Sequence, residues 1–277
     1  MGRIQSHTAH DGVLAGEAVA TARSIPIRAH CRIGCLVAPS TSSMSESTRE
    51  TKIYLVRHPS VHSNAKGICY GDSDVQLEDG WESTLESLAS TLGQLPVHYR
   101  PQEVWHSDLA RCTEPAVWLS KRLGVQIRSD RRLRERYFGT WQSVAWSEIP
   151  IHEVERAHDM LEHPATFRPG GGETTDEVAR RAMSWLNDAI AVSSVPSRAI
   201  VAVAHSGSIT ALCGTLLKLP PAQWTPYYLK PSQHLELLID QDQVEVVCQM
   251  NNDQQSGRVR LLPNQCDASS AGASPSR

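Results

Sequence analysis

Between residues 52 and 250 the chain alternates short runs of consecutive apolar residues with stretches in which apolar residues recur every three or four positions. The first run, Ile53-Tyr54-Leu55-Val56, predicts a buried strand that ends abruptly on Arg57 and His58. After it, Leu85, Leu88, Leu92 and Leu95 share one face of a predicted helix. EVWHS at 103–107 predicts a strand. The stretch from Arg111 to Leu123 predicts a helix with Ala116 and Val117 facing inward, and VQIRS at 125–129 a further short strand. Thr174 and Glu177 have the spacing of a capping box, and Val178, Ala182, Trp185, Leu186 and Ala189 follow at helical intervals. AIVAVAH at 199–205 is a continuous apolar strand, succeeded by a helix with Ile209, Leu212, Leu216 and Leu217. HLELLI at 234–239 and VEVVCQ at 244–249 flank a DQDQ turn. The alternation predicts a three-layer α/β/α sandwich with a mostly parallel central sheet.

The ends of the chain lack such a pattern. Residues 1–50 close on the Ser/Thr-rich stretch APSTSSMSESTRE, and residues 251–277 end in CDASSAGASPSR. Segments of that composition bury too little apolar surface to offset the entropy of ordering. The expected organisation is a disordered extension over 1–50, a folded domain over 51–250 and a disordered tail over 251–277, with residues up to about 48 and beyond about 252 dispensable. Met44, eight residues before Lys52, is an alternative start.

Composition narrows the partners. The 277 residues carry a net charge of −3 with no polybasic block, which gives no support for nucleic acid or a membrane surface. No apolar run approaches the ~20 residues of a membrane helix, and the first residues lack a secretory pattern. Seven scattered cysteines suit free thiols in a reducing cytoplasm. His30, Cys31 and Cys35 make half of a zinc motif, but no second ligand pair accompanies them, so no metal or other cofactor is expected.

In open α/β sheets, ligands bind beyond the carboxyl ends of the strands. Those ends supply Arg57-His58, Ser107 with Arg111 just inside the next helix, and His205-Ser206-Gly207, with Glu135 in the polar loop RLRERYFGTW. Each member has a plainer reading: a strand-end histidine as a structural residue, Arg111 paired with Glu114 on a helix face, Glu135 in a solvated charge run. Their joint placement argues for chemistry on an anion.

The blocks LVRH, SDLARC, LRERYFGTW and VAVAHSG occur in this order and resemble the histidine phosphatase (phosphoglycerate mutase-like) superfamily over about residues 52–240. The resemblance implies that His58 is the phosphorylated nucleophile, Glu135 the proton donor and His205 the second catalytic histidine. It implies phosphate binding by Arg57, Asn64, Arg111 and Ser206. CYG at 69–71 and RPGGGETTDE at 168–177 are similar to the α-ribazole phosphatase branch. Three positions depart from the common pattern. Pro59 follows His58 and removes a backbone N–H, Gln142 replaces the usual glutamate after Trp141, and Ser206 replaces a glycine. The implied function is metal-independent hydrolysis of a small phosphorylated metabolite through a phosphohistidine. A phosphoglycerate-type mutase and a non-catalytic phosphate-binding protein are the alternatives. Three glycines at 170–172 predict a mobile loop that admits water, which favours hydrolysis over isomerisation.

Overall fold

The computed structural model describes residues 50–191, 197–239 and 244–248. The two terminal extensions (apart from Glu50, which opens the first strand), the DQDQ turn, and His30, Cys31 and Cys35 lie outside the described residues. In chain order the strands are β1 (Glu50–Arg57), β2 (Ile68–Cys69), β3 (Glu103–His106), β4 (Gln126–Ser129), β5 (Val144–Ala145), β6 (Ser197–Ala204), β7 (His234–Ile239) and β8 (Val244–Cys248). The principal helices are α1 (Glu82–Gln94), α2 (Ala110–Leu123), α3 (Thr175–Ala191) and α4 (Ser206–Leu216), with short helical turns between them.

The main sheet runs β4-β3-β6-β1-β7-β8. Strands β4, β3, β6 and β1 are mutually parallel, while β7 and β8 complete the edge as an antiparallel pair. The mostly parallel sandwich expected from the pattern is therefore what forms. Both faces of the sheet are covered, which is why β1 and β6 read as unbroken apolar runs. Ile53 and Leu55 face a core shared with Trp185 and Leu186 of α3 and Ile209 and Leu212 of α4. Tyr54 and Val56 face the opposite core, built with Leu85 and Leu92 of α1 and Ala116 and Leu119 of α2.

Helix α3 begins as its sequence predicts. The Glu177 N–H donates to Thr174 Oγ1 at 3.1 Å, and the Thr174 N–H donates to Glu177 Oε2 at 3.0 Å, a reciprocal capping box. Two inward assignments shift. Val117 is only half-buried, and Cys112 and Leu119 take the inward positions of α2 beside Ala116. Leu95 lies one residue past the end of α1 and still packs on the core.

The alternation signal did not reveal a second, two-stranded sheet in which Cys69 pairs with Val144 and Ile68 with Ala145. Strands of two residues are too short to show periodicity. This ribbon ties the segment after the first strand to the segment after Glu135.

The glycine loop also differs from expectation. A Cβ on Gly172 would lie 2.0 Å from the Tyr137 carbonyl oxygen, and one on Gly170 would lie 2.3 Å from that of Phe138. Thr140 Oγ1 donates to the Gly170 carbonyl at 3.2 Å, and the Glu173 N–H to the Tyr137 carbonyl at 2.8 Å. The glycines here permit close backbone packing rather than motion. Gly170 and Gly171, at φ 57° and 76°, also occupy the left-handed region.

Candidate active site

Sheet register brings the strand ends together. Arg57 is paired with Ala204 across β1 and β6, and Val203 with His106 across β6 and β3. The next residues, His58, His205 and Ser107, therefore emerge side by side at one edge. Backbone bonds pin them there: the His58 N–H donates to the Ala204 carbonyl at 3.0 Å and the Ser107 N–H to the Val203 carbonyl at 3.0 Å. The two imidazoles meet edge to face with centroids 5.2 Å apart.

Helix α2 delivers Arg111. The Ala110 N–H donates to Asp74 Oδ1 at 2.7 Å, docking the 70–74 loop on the helix start. Arg111, the second helical residue, then turns inward and is fully buried. Its Nη1 donates to the Ser73 carbonyl at 2.6 Å, its Nη2 to the Gly71 carbonyl at 2.5 Å and its Nε to His205 Nδ1 at 3.2 Å. The Tyr70 ring covers its face at 4.9 Å. A buried guanidinium requires such partners, and the surface pairing with Glu114 does not occur.

The departure at Pro59 removes an N–H but leaves the backbone carbonyl of that position in place. The proline carbonyl accepts from His58 Nδ1 at 2.6 Å. A carbonyl only accepts, so Nδ1 carries the proton and the neutral ring keeps its lone pair on Nε2. Burial, followed by the charges of Arg111 and Arg57, holds the His58 pKa well below 6.5, against the opposing effect of the Pro59 bond. The residue that has no N–H to donate thus orients the His58 ring through its carbonyl.

His205 departs from expectation. Its Nδ1 accepts from Arg111, and its Nε2 lies 2.9 Å from Ser107 Oγ, so both ring nitrogens are engaged by the protein. Neither is free to reach a transferring group in this arrangement. Burial and the neighbouring Arg111 and His58 hold its pKa well below 6.5.

Arg57 sits at the mouth. Its Nη1 donates to the Leu229 carbonyl at 2.6 Å, its head lies 5.5 Å from the Tyr228 ring, and its buried Nε has no acceptor among the described residues. Ser206, expected on the phosphate, is buried and donates to the same Leu229 carbonyl at 3.2 Å. It braces the segment that anchors Arg57. Asn64 is exposed in the turn Ser63–Ala65, and its backbone N–H reaches His62 Nδ1 at 3.3 Å. Its side chain takes no part in the hydrogen bonds that join the other members.

Glu135 enters from the loop after β4. Its Oε2 accepts from the Gly207 N–H at 3.1 Å and its Oε1 from the Arg136 N–H at 2.9 Å, which brings its carboxylate against the start of α4. The neighbouring Glu173 is different. Burial works against its charge, but two bonds from Arg181, at 2.9 and 3.0 Å, and one from the Tyr137 N–H hold its pKa below the ordinary value.

Sequence reasoning missed two supporting residues. Arg181 donates to the carbonyls of Arg132, Arg134 and Glu135 as well as to Glu173, and so shapes the loop that carries Glu135. Gln142 Oε1 accepts from the Asp72 and Phe138 N–H groups, both at 3.1 Å, while its Nε2 donates to Ser73 Oγ at 2.9 Å. It joins the loop holding Arg111 to the loop holding Glu135. The unusual Trp-Gln-Ser order was the only sequence signal for it.

The Gly207 contact yields a prediction. A Cβ there would lie 2.1 Å from Glu135 Oε1. Gly207→Ala should displace the Glu135 carboxylate with little loss of stability, because a side-chain end moves rather than backbone. Hydrolysis of alkyl phosphates should fall about 10- to 100-fold, measured beside a melting curve. Unchanged turnover would show that the Glu135 position is not critical.

A second prediction concerns pH. His58, His205, His106 and His234 all have folded pKa values below 6.5, with burial the largest cause. In the unfolded chain these rings titrate near 6.5, so below that pH the unfolded state binds more protons. Stability is full above about pH 6.5 and falls as the pH drops, by about 1.4 kcal/mol at pH 5.5 for each ring still neutral when folded. Urea midpoints at pH 7.5, 6.5 and 5.5 should decline in that order. A flat series would mean that the folded rings titrate normally.

Paired imidazoles and guanidiniums at the strand ends of an α/β sandwich, with a carboxylate across from them, define an enzyme site for phosphoryl chemistry. The family model of the histidine phosphatase superfamily (branch 1) matches residues 53–252, and the chain belongs to that superfamily. It is similar to a glucosyl-3-phosphoglycerate phosphatase of Mycobacterium tuberculosis, with 32% identity over 182 residues, 64% of this chain and 79% of that protein. The solved native structure of mycobacterial glucosyl-3-phosphoglycerate phosphatase aligns with a TM-score of 0.59 at 30% identity, covering 69% of this chain and 91% of that one. The α-ribazole phosphatase from Shigella flexneri aligns with a TM-score of 0.58 at 17% identity over the same shares, a likeness of fold. With this membership the chain is a phosphoric monoester hydrolase.

Proposed function

We propose that the chain hydrolyses a phosphate ester of an aliphatic alcohol on a small polar metabolite, through a phosphohistidine on His58. The observation that carries the reading is the His58 ring itself: neutral, with Nδ1 bound to Pro59 and Nε2 left with its lone pair beside two arginines. In the first step Nε2 attacks phosphorus, the P–N bond forms and the bond to the leaving oxygen breaks. Glu135 gives its proton to that oxygen. In the second step Glu135 takes a proton from water, the new P–O bond forms, the P–N bond breaks and phosphate leaves. Arg111 and Arg57 carry the charge of the non-bridging oxygens, and the Arg57 Nε, without an acceptor among the described residues, is a donor that a phosphoryl oxygen would satisfy.

Residue chemistry supports the rest. Phosphohistidine transfer between Arg and His groups needs no divalent cation. Among the described residues, the one His/carboxylate group close enough to share an ion is His158, Asp159 and Glu162, on short helical turns rather than at the strand ends. Tyr228, substantially exposed, holds its ring 5.5 Å from the Arg57 head, where it offers a face for a cyclic leaving group. Cys69, Cys112 and Cys213, buried and not in disulfides, fit a cytoplasmic setting, and no helix among the described residues is long and apolar enough to cross a membrane.

A panel of glucosyl-3-phosphoglycerate, α-ribazole phosphate, phosphoserine and 3-phosphoglycerate should reveal at least one ester hydrolysed with kcat/KM above about 10⁴ M⁻¹ s⁻¹. With 3-phosphoglycerate and a trace of 2,3-bisphosphoglycerate, phosphate release should equal or exceed formation of the 2-isomer. Isomerisation that outruns release would replace this assignment with a mutase.

A further inference from the structure

We propose that Ser107 is a positioning residue that holds His205 in the neutral tautomer protonated on Nε2 and, through that ring, fixes the Arg111 guanidinium; its kinetic consequence rests on the phosphatase reading, its spectroscopic one does not. The argument begins with Arg111. An arginine Nε always bears a hydrogen and never accepts. Since it lies 3.2 Å from His205 Nδ1, that nitrogen must present its lone pair. An imidazolium, or the tautomer protonated on Nδ1, would set two N–H groups against each other. The neutral ring then carries its hydrogen on Nε2, and the oxygen that receives it is Ser107 Oγ at 2.9 Å.

Ser107 is built for this task. It is fully buried at the end of β3, and its N–H is bound to the Val203 carbonyl. Its own carbonyl accepts from His106 Nδ1 at 2.7 Å. The side chain therefore has a fixed origin from which to meet the His205 ring, while Cys112 Sγ packs on the ring at 3.3 Å from Nε2. The line from Ser107 through His205 to Arg111 spans β3, β6 and α2. It sets the angle at which the guanidinium faces the site while Nη1 and Nη2 hold the Ser73 and Gly71 carbonyls. Without the hydroxyl, the Nε2–H would be left with only the weak acceptor Cys112 Sγ, and the ring would turn or exchange tautomers to relieve it.

Imidazole 15N–1H spectra of the full chain, with His205 assigned by loss of its signals in His205→Gln, test the proposal. The expected wild-type pattern is a neutral ring protonated on Nε2 with a slowly exchanging, downfield Nε2 proton. Ser107→Ala should shift that proton upfield or exchange it away, and lower kcat for p-nitrophenyl phosphate about 10- to 100-fold. A wild-type His205 protonated on Nδ1 or on both nitrogens overturns the proposal even if the variant does not fold. An unchanged Nε2 proton or an unchanged kcat in a folded Ser107→Ala also overturns it. A wild-type chain that turns over no phosphate ester would count against the phosphatase reading and leave the spectra to decide the role of Ser107.

Discussion

His58→Ala is expected to lower phosphate release by at least about 10⁴-fold, the order of loss when a covalent nucleophile is removed. The same protein should keep its fold, because His58 lies past the last residue of β1 and the sheet register does not depend on its ring. Wild-type enzyme quenched in acid-free denaturant during turnover of a 32P-labelled ester should carry base-stable, acid-labile label on His58. The variant should carry none. Activity should survive EDTA, since the charge of the phosphoryl group is met by Arg57 and Arg111. Strict dependence on Mg²⁺ or Zn²⁺, or label on another residue, would end the phosphohistidine mechanism.

Glu135→Gln should lower turnover of an alkyl phosphate by about 10²- to 10⁴-fold. The amide retains the shape of the carboxylate but keeps only one accepting oxygen for the Gly207 and Arg136 N–H groups, so a comparison of leaving groups is needed to separate loss of the proton from loss of a contact. An aryl phosphate, whose leaving oxygen needs little protonation, should lose far less. Glu173 is the other carboxylate nearby, but the two hydrogen bonds from Arg181 favour its charged form and make it a brace for the loop. Glu173→Gln should therefore affect alkyl and aryl substrates alike. Equal losses on both substrates in Glu135→Gln would make Glu135 structural as well.

The main sheet and its covering helices were legible because each depends on a local period. Residues such as Leu85, Leu88 and Leu92, or Val178, Ala182 and Trp185, state their buried face without knowledge of the partner. The strand ends were legible for a related reason: Arg57-His58 and His205-Ser206 interrupt apolar runs abruptly. The conformation of the glycine loop was not legible, because Gly170–Gly172 looks the same to the sequence whether it frees the chain or lets the 137–139 backbone approach. The small β2–β5 sheet left no pattern at all. Asn64 and Ser206 had the right spacing, yet Asn64 lies exposed and Ser206 turns to a carbonyl. Spacing from His58 or His205 carries no information about where a side chain points.

By itself, then, the order of residues determined the α/β sandwich, the identity of the imidazole and guanidinium groups and their position at the carboxyl ends of strands. These follow from hydrophobic period and strand direction, which act within a few residues. Tertiary structure alone decided the proton positions and the partners. That His58 bears its hydrogen on Nδ1 depends on where the Pro59 carbonyl lies, and the engagement of both His205 nitrogens depends on Arg111 and Ser107, 94 and 98 residues away. The separate settings of Glu135 and Glu173 rest on Arg181, which binds the nearby Glu173 and the distant Glu135 carbonyl, and on one N–H at the start of α4. A hydrogen bond is short and directional, so only groups brought within about 3 Å can assign a tautomer or hold a charge, and that proximity is made by the folded chain.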